Sequence, residues 1–117
     1  MGMSKKDYQE INQQQLALNK QFKAHSSETL TAFGQLHRAA MAEGDLNVKT
    51  KELIALGIGI AARCDGCIGA HVAAALKHGA TKQECVETIN VAIVMGGGPS
   101  LIYGSQALEA VEQLSEA

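Results

Sequence analysis

The ten consecutive apolar residues from Leu53 to Ala62 constrain the fold of this chain more than any other feature. The run is about half the length that a bilayer-spanning helix needs, and nothing in the sequence shows the polar–apolar alternation of a half-exposed strand. It therefore predicts a helix that begins near Asn47 or Val48 and is apolar on every side in its second half. We expect this helix to be the most buried element of the protein.

Helix start and stop signals recur along the rest of the chain and predict an all-α fold of about six helices. Thr81 and Glu84 have the spacing of a capping box, and the glycines from Gly96 to Gly98 with Pro99 predict a helix break. The other helices are expected at about 4–24, from Ser26 or Ser27 to Gly44, from Cys64 to Gly79, from Thr81 to the Gly96–Pro99 break, and from about Ser100 to Leu114.

Length and composition predict a single domain over residues 1–117, with the first helix as an arm. Hydrophobic residues make up 46% of the chain, yet it has only two Phe, two Tyr and no Trp. Small aliphatic side chains favour helices that approach one another closely. Because the apolar content is high for so small a chain, we expect part of it to be shared between subunits of a homo-oligomer.

The charge pattern argues against several classes of partner. The formal net charge is −2 and no basic cluster is present, which predicts neither a nucleic-acid partner nor a membrane partner. The N-terminus leads into polar sequence rather than an apolar signal segment, so a cytoplasmic location is expected. In that compartment, three cysteines with one CxxC pair suggest redox or metal chemistry rather than a disulfide framework.

Two polar residues, His71 and Glu52, are spaced along the sequence so that both could lie beside the CxxC pair. Cys64 and Cys67 can meet in the first turn of a helix, where the helix dipole favours a thiolate. His71 follows Cys67 by one turn and could exchange a proton with it. If the preceding helix packs antiparallel, Glu52 could face the imidazole of His71. A carboxylate that orients a histidine beside a thiol is typical of an activated nucleophile.

Other interpretations of these residues remain open at this point. Cys64, Cys67 and His71 could bind zinc, with Cys85, His78 or Glu52 as a fourth ligand. Glu52 could also be an ordinary solvated residue beside Lys51. Three further features are assigned to structure: the glycines Gly57 and Gly59 to helix packing, Cys85 to the core, and His25 and His37 to ordinary helix or loop positions.

The segment KELIALGIGIAARCDGCIGAHVAAALKHGATKQECVETI, with Glu52, Cys64, Cys67 and His71 in it, resembles the carboxymuconolactone decarboxylase family. Within that family it is similar to the alkylhydroperoxidase D-like branch, and the similarity extends from about Val48 to Leu114. The resemblance implies a helical subunit in a homotrimer or homohexamer. It also implies thiol-dependent reduction of hydroperoxides.

The resemblance assigns roles to the matching residues. Cys67 would be the attacking thiol, Cys64 its disulfide partner, and His71 with Glu52 a proton relay. No cofactor would be bound, but a lipoyl-bearing or thioredoxin-like dithiol would have to reduce the disulfide. The sequence departs from the pattern at Gly66, where well-studied peroxidases of this branch carry a second histidine of the relay.

Two alternatives compete with this peroxidase hypothesis. The family is named for a decarboxylase, which would hold a lactone acid in the same helical cup and would have no evident use for a dithiol. The chain could also be a non-catalytic helical oligomer whose cysteines are incidental. A peroxide-dependent loss of two thiols, reversed by a dithiol, would separate the peroxidase hypothesis from both.

Overall fold

The computed structural model describes residues 6–115 and shows six helices. They are α1 (Tyr8–His25), α2 (Ser27–Met41), α3 (Val48–Ala61), α4 (Asp65–Lys77), α5 (Lys82–Gly96) and α6 (Gly98–Ser115). No strand occurs between residues 6 and 115. The predicted all-α fold with about six helices is therefore confirmed.

Most helix bounds lie within a few residues of those predicted. α1 begins at Tyr8 because the Asp7 side chain accepts a hydrogen bond from the Glu10 amide at 3.1 Å and caps the helix. The predicted start at residue 4 lies outside the described residues. α2 ends at Met41, before the predicted stop at Gly44.

The two clearest helix start and stop signals of the sequence are both present in the structure. Thr81 and Glu84 form both bonds of the capping box at the start of α5. The break between α5 and α6 occupies the single residue Gly97, whose φ of +72° suits glycine. Pro99 lies inside the first turn of α6 rather than before the helix, because a missing amide hydrogen costs nothing there.

Helices α3 to α6 form the core, and the start of α1 packs against them. Leu56, Ile60, Ile68 and Val72 are fully buried where α3 and α4 meet the other helices. Tyr8 of α1 is also fully buried, whereas α2 contributes no buried residue. The site described below therefore lies on the closely packed α3–α4 pair rather than on the outer helices.

The expectation that α3 is the most buried helix was wrong. It buries four of its 14 residues, whereas α4 buries four of 13, and Ile54 and Ile58 of α3 are 47% and 64% exposed. One face of α3 borders an apolar groove that the described part of the chain leaves open, and this explains the exposure. None of the helices in residues 6–115 is long and apolar enough to cross a membrane.

Candidate active site

The turn between α3 and α4 places the two cysteines at the start of α4. Arg63 takes a left-handed backbone conformation with φ of +58°, and the Cys64 amide donates to the Gly59 carbonyl at 3.1 Å. Cys64 is the N-cap of α4, and its sulfur accepts a hydrogen bond from the Cys67 amide at 3.1 Å. The sulfur thus takes the place that a serine oxygen often has at a helix start.

Cys64 and Cys67 are joined by a disulfide, with their Cα atoms 5.2 Å apart. Both residues are partly exposed, so a reactant in solution can approach them. The prediction that the two sulfurs meet within the first turn of a helix is confirmed. Their position at the amino end of α4 also provides the helix dipole and free amides that stabilise a thiolate once the bond is reduced.

His71 and Glu52 form the second part of the site. The Nδ1 atom of His71 lies 2.7 Å from Oε1 of Glu52, and the Glu52 residue is only 5% exposed. A carboxylate can only accept, so beside an ionised Glu52 the Nδ1 atom carries the hydrogen. The Nε2 atom is then free to take or give a proton. The predicted contact between these residues across the α3–α4 pair is confirmed.

The alternative that Glu52 is a solvated residue like its neighbour Lys51 was wrong. The Lys51 ammonium group reaches away from the site and donates to the Ala40 carbonyl at 3.0 Å, near the end of α2. Successive helix residues are about 100° apart, so Lys51 and Glu52 point in different directions. The sequence shows only that the two residues are adjacent, not which of them faces the neighbouring helix.

Gly59 allows α3 to lie directly against the CxxC motif. A Cβ atom at this position would stand 3.1 Å from the Cβ of Cys67, which is closer than packed side chains usually allow. At Gly57 the same atom would have Thr88 Cγ2 at 3.6 Å, an ordinary contact. The interpretation of these glycines as packing residues is confirmed for Gly59, which positions Cys67.

The two glycines provide a matched test of this packing. Gly57→Ala should stabilise the protein by up to about 1 kcal/mol, because alanine favours the helix. Gly59→Ala gains the same propensity, but the extra methyl group crowds Cys67 at a cost of about 1–3 kcal/mol. Urea unfolding followed by circular dichroism should rank Gly57→Ala above Gly59→Ala. Equal stability of the two variants would show that α3 and α4 are not in tight contact here.

His37 is one of the residues near the site that the sequence did not indicate; Lys6, which pairs with Asp65, is another. Its ring lies over that of His71, with the centroids 6.3 Å apart and the planes 18° from parallel. The sequence gives no signal for this, because His37 is on α2, far from the motif and surrounded by ordinary helical residues. The interpretation of His37 as an ordinary helix residue is therefore incomplete, because its ring lies nearly parallel to that of His71 beside the site.

A cavity of about 240 Å³ adjoins the motif at Gly66. It lies between α1 and α4 and is lined by Asn12, Gln15, Leu16, Asn19, Gly66 and Ala70. A Cβ atom at Gly66 would have Gln15 Oε1 at 3.8 Å, so the Gln15 side chain of α1 flanks this glycine. None of the lining side chains is ionisable.

The zinc hypothesis gains no support from the described residues. No group of three or more His, Cys, Asp or Glu side chains in residues 6–115 is arranged to hold a metal ion. Cys85 is fully buried on α5, and its burial and then the charge of Glu84 raise the pKa of its thiol. It is a core residue, as predicted. His78 caps the opposite end of α4 from Cys64.

Comparison with known proteins identifies similar sequences. The profile of the carboxymuconolactone decarboxylase family matches residues 27–110, so the match begins in α2, well before Val48. An uncharacterised protein of Cupriavidus necator is 37% identical over 84% of this chain and 89% of its own length. Uncharacterised protein 4 in the cox locus of Paracoccus denitrificans is 34% identical over 74% of this chain and 78% of its own length.

Solved structures share the fold. A carboxymuconolactone decarboxylase family protein from Legionella pneumophila, in its apo form, superposes with a TM-score of 0.89 at 42% identity, covering 92% of this chain and 96% of that one. A family member from Thermotoga maritima, for which involvement in an antioxidative response has been suggested, gives a TM-score of 0.82 at 30% identity. That alignment covers 92% of this chain and 91% of the other.

Proposed function

Because this chain belongs to the carboxymuconolactone decarboxylase family, we propose that it is a thiol-dependent hydroperoxide reductase of the alkylhydroperoxidase D-like type. One observation carries the proposal: a CxxC disulfide at a helix start is followed, one turn later, by a histidine paired with a buried carboxylate. A decarboxylase has no evident use for such a dithiol. The suggested antioxidative role of the Thermotoga maritima relative agrees with the proposal.

The reaction begins from the reduced dithiol. The Cys67 thiolate attacks the terminal oxygen of a hydroperoxide, the O–O bond breaks, and the leaving alkoxide takes a proton to become an alcohol. Cys67 is then a sulfenic acid. The Cys64 thiol condenses with it, which forms the disulfide and releases one water molecule. The peroxide is thereby reduced by two electrons, which the two cysteines supply.

His71 and Glu52 provide the proton transfers of this cycle. The free Nε2 atom of His71 takes the thiol proton and returns it to the leaving oxygen, and Glu52 stabilises the imidazolium in between. An external dithiol, of the lipoyl or thioredoxin type, then reduces the Cys64–Cys67 disulfide and is itself oxidised. We place the protein in the cytoplasm, where such dithiols are kept reduced.

The cavity beside Gly66 adjoins the CxxC motif but is not lined by Cys64, Cys67 or His71, and we assign it to the organic group of the substrate, which its lining suits when that group is uncharged. Its lining has amide and aliphatic side chains, from Asn12, Gln15, Leu16 and Asn19, and no ionisable group. A neutral alkyl hydroperoxide can enter such a site without an unpaired charge becoming buried. A carboxylic acid, the kind of substrate that a decarboxylase needs, finds no cation there.

The proposal is tested by following thiols and peroxide together. The reduced protein should lose two accessible thiols on adding one equivalent of cumene hydroperoxide, and mass spectrometry should show the Cys64–Cys67 disulfide. Dihydrolipoamide or reduced thioredoxin should restore the thiols and sustain turnover. An unchanged thiol count after peroxide treatment would contradict the proposal.

We also propose that the protein is a homo-oligomer, a trimer or hexamer. The apolar groove between α3 and α5 has a volume of about 440 Å³ and is lined by Leu53, Ile54, Ile58, Val91 and Met95 among others. Met95 is 80% exposed and Val91 62% exposed in the single chain. Monomeric proteins rarely leave so continuous an apolar surface in water, so a second copy is the expected cover.

Ile58→Glu should disrupt this assembly, because it places a charge in the apolar groove. Light scattering should give the wild-type protein a mass of three or six chains of 12.3 kDa and the variant a smaller mass. Lys77→Glu, a charge change at an exposed position near the end of α4, serves as the control and should keep the wild-type mass. A wild-type protein that elutes as single chains would refute the assembly.

A further inference from the structure

The segment Lys6–Tyr8, here called the anchored segment, connects α6 to the amino end of α4. Gln113 of α6 holds it from both sides: its Oε1 accepts from the Tyr8 amide at 2.8 Å, and its Nε2 donates to the Lys6 carbonyl at 2.7 Å. Tyr8 is fully buried, which fixes the segment further. The position of the Lys6 side chain is therefore set by the fold rather than by a free chain end.

The anchored segment places a positive charge beside Asp65, the first of the two residues between the cysteines. The Lys6 ammonium group lies 2.9 and 3.0 Å from the two carboxylate oxygens of Asp65. It also donates to Gln106 Oε1 and lies 5.1 Å from the centre of the Tyr103 ring. The Tyr8 hydroxyl donates to the same carboxylate at 3.4 Å. Two α6 residues, Gln106 and Tyr103, thus contact the Lys6 ammonium group that pairs with Asp65.

Asp65 affects the dithiol through its charge. Its carboxylate follows Cys64 directly in sequence, and an unpaired negative charge there would disfavour a neighbouring thiolate. Lys6 offsets that charge at close range, with both side chains about one-third exposed, at 35% and 36%. Burial and the nearness of Asp65 raise the pKa of Tyr8, so its hydroxyl remains a donor and adds no negative charge.

The other described charged groups around the start of α4 do not neutralise the Asp65 carboxylate in place of Lys6. Arg63 precedes Cys64, but it is exposed and forms none of the described ion pairs in residues 6–115. Glu52 is paired with His71, over which the His37 ring lies. Among the ion pairs within residues 6–115, the cation paired with Asp65 is Lys6.

We propose that Lys6 is a positioning residue that sets the reactivity of the CxxC dithiol by neutralising Asp65. With the charge paired, the thiolate form of the reduced cysteines is favoured, and so is the dithiol over the disulfide. The balance between dithiol and disulfide is defined by exchange with glutathione. In that reaction the Cys64–Cys67 disulfide and two reduced glutathione molecules give the protein dithiol and one glutathione disulfide. The inference rests on the proposed function only in requiring that the cysteines change between disulfide and dithiol.

Lys6→Gln tests the inference without any peroxide. The reduced variant should react with iodoacetamide at pH 7 about three- to tenfold more slowly at the CxxC cysteines, with the modified residue identified by mass spectrometry. Its equilibrium with glutathione should shift toward the disulfide by up to about tenfold, which corresponds to about 30 mV. Lys6→Arg keeps the charge and should restore both values.

Matched variants separate the charge effect from a loss of structure. Asp65→Asn should shift both values in the opposite direction, and the double variant Lys6→Gln/Asp65→Asn should return close to wild type. Lys82→Gln removes an exposed ion pair, with Glu112 at 3.0 Å, and should change neither value. Thermal unfolding by circular dichroism checks that every variant is folded.

Either of two results would overturn the inference. The first is that Lys6→Gln reacts with iodoacetamide at the wild-type rate and has the wild-type equilibrium with glutathione. The second is that the double variant reacts as slowly as Lys6→Gln alone. If Lys6→Gln does not fold, the Asp65→Asn measurement decides, since a wild-type rate there also refutes the role. These assays do not depend on peroxidase turnover. A protein without peroxidase activity but with the Lys6 effect would refute the proposed function and leave this inference standing.

Discussion

Cys67→Ser is expected to reduce hydroperoxide turnover to the rate of the uncatalysed reaction. A serine hydroxyl is not ionised at neutral pH and cannot accept the peroxide oxygen as a thiolate does. Cys64 retains a thiol in this variant, but it is the N-cap of α4, three residues before Cys67 and a full turn further from His71. Turnover is measured as alcohol formed from cumene hydroperoxide in the presence of a dithiol.

Cys64→Ser is the informative partner of this variant. Serine is a preferred N-cap residue, so the start of α4 should be preserved. Cys67 can still attack, and one equivalent of alcohol should form while a sulfenic acid, trapped by dimedone, accumulates on Cys67. Cys85→Ala is the control and should retain turnover, because its thiol is buried and remains protonated. A burst from Cys67→Ser instead of Cys64→Ser would reverse the assigned roles.

Glu52→Gln and His71→Ala should each lower kcat/KM for the hydroperoxide by about 10²-fold or more, the usual scale of general acid–base catalysis. Glutamine keeps the shape of Glu52 and an acceptor oxygen for the His71 Nδ1 hydrogen. It removes the negative charge that stabilises the imidazolium. The loss in Glu52→Gln is therefore electrostatic, whereas His71→Ala removes the proton carrier itself.

The relay variants need a control histidine and a test of coupling. His78→Ala changes an exposed residue at the far end of α4 and should leave kcat/KM unchanged. Because Glu52 acts through His71, the double variant should lose little more than His71→Ala alone. Turnover near the wild-type rate in both single variants would remove the relay from the mechanism. Losses that multiply in the double variant would show that the two residues act separately.

The fold was largely predictable because its signals are local. The capping box of Thr81 and Glu84 and the glycine at position 97 act within one helical turn, and the structure shows both. The burial of α3 was not predictable in the same way. Ile54 and Ile58 are as apolar as core residues, and only the arrangement of the helices shows that no part of residues 6–115 covers them.

The same distinction applies to the site. The pairing of Cys64 with Cys67 depends on their spacing of three residues at the start of one helix, and this spacing can be read from the sequence. The contact between Glu52 and His71 depended on one additional assumption, antiparallel packing of two consecutive helices, and this held. His37 and Lys6 reach the site from distant parts of the chain, and no periodicity or spacing signals such a contact.

The burial of Tyr8 has a practical consequence for anyone who trims this protein. The family match covers residues 27–110, but Tyr8 and Val111 are both fully buried on either side of those limits. A fragment of residues 27–110 would lack the buried side chains of Tyr8 in α1 and Val111 in α6. Domain borders taken from sequence similarity would thus yield a fragment in which core residues lose their packing partners, and we expect this fragment to be insoluble.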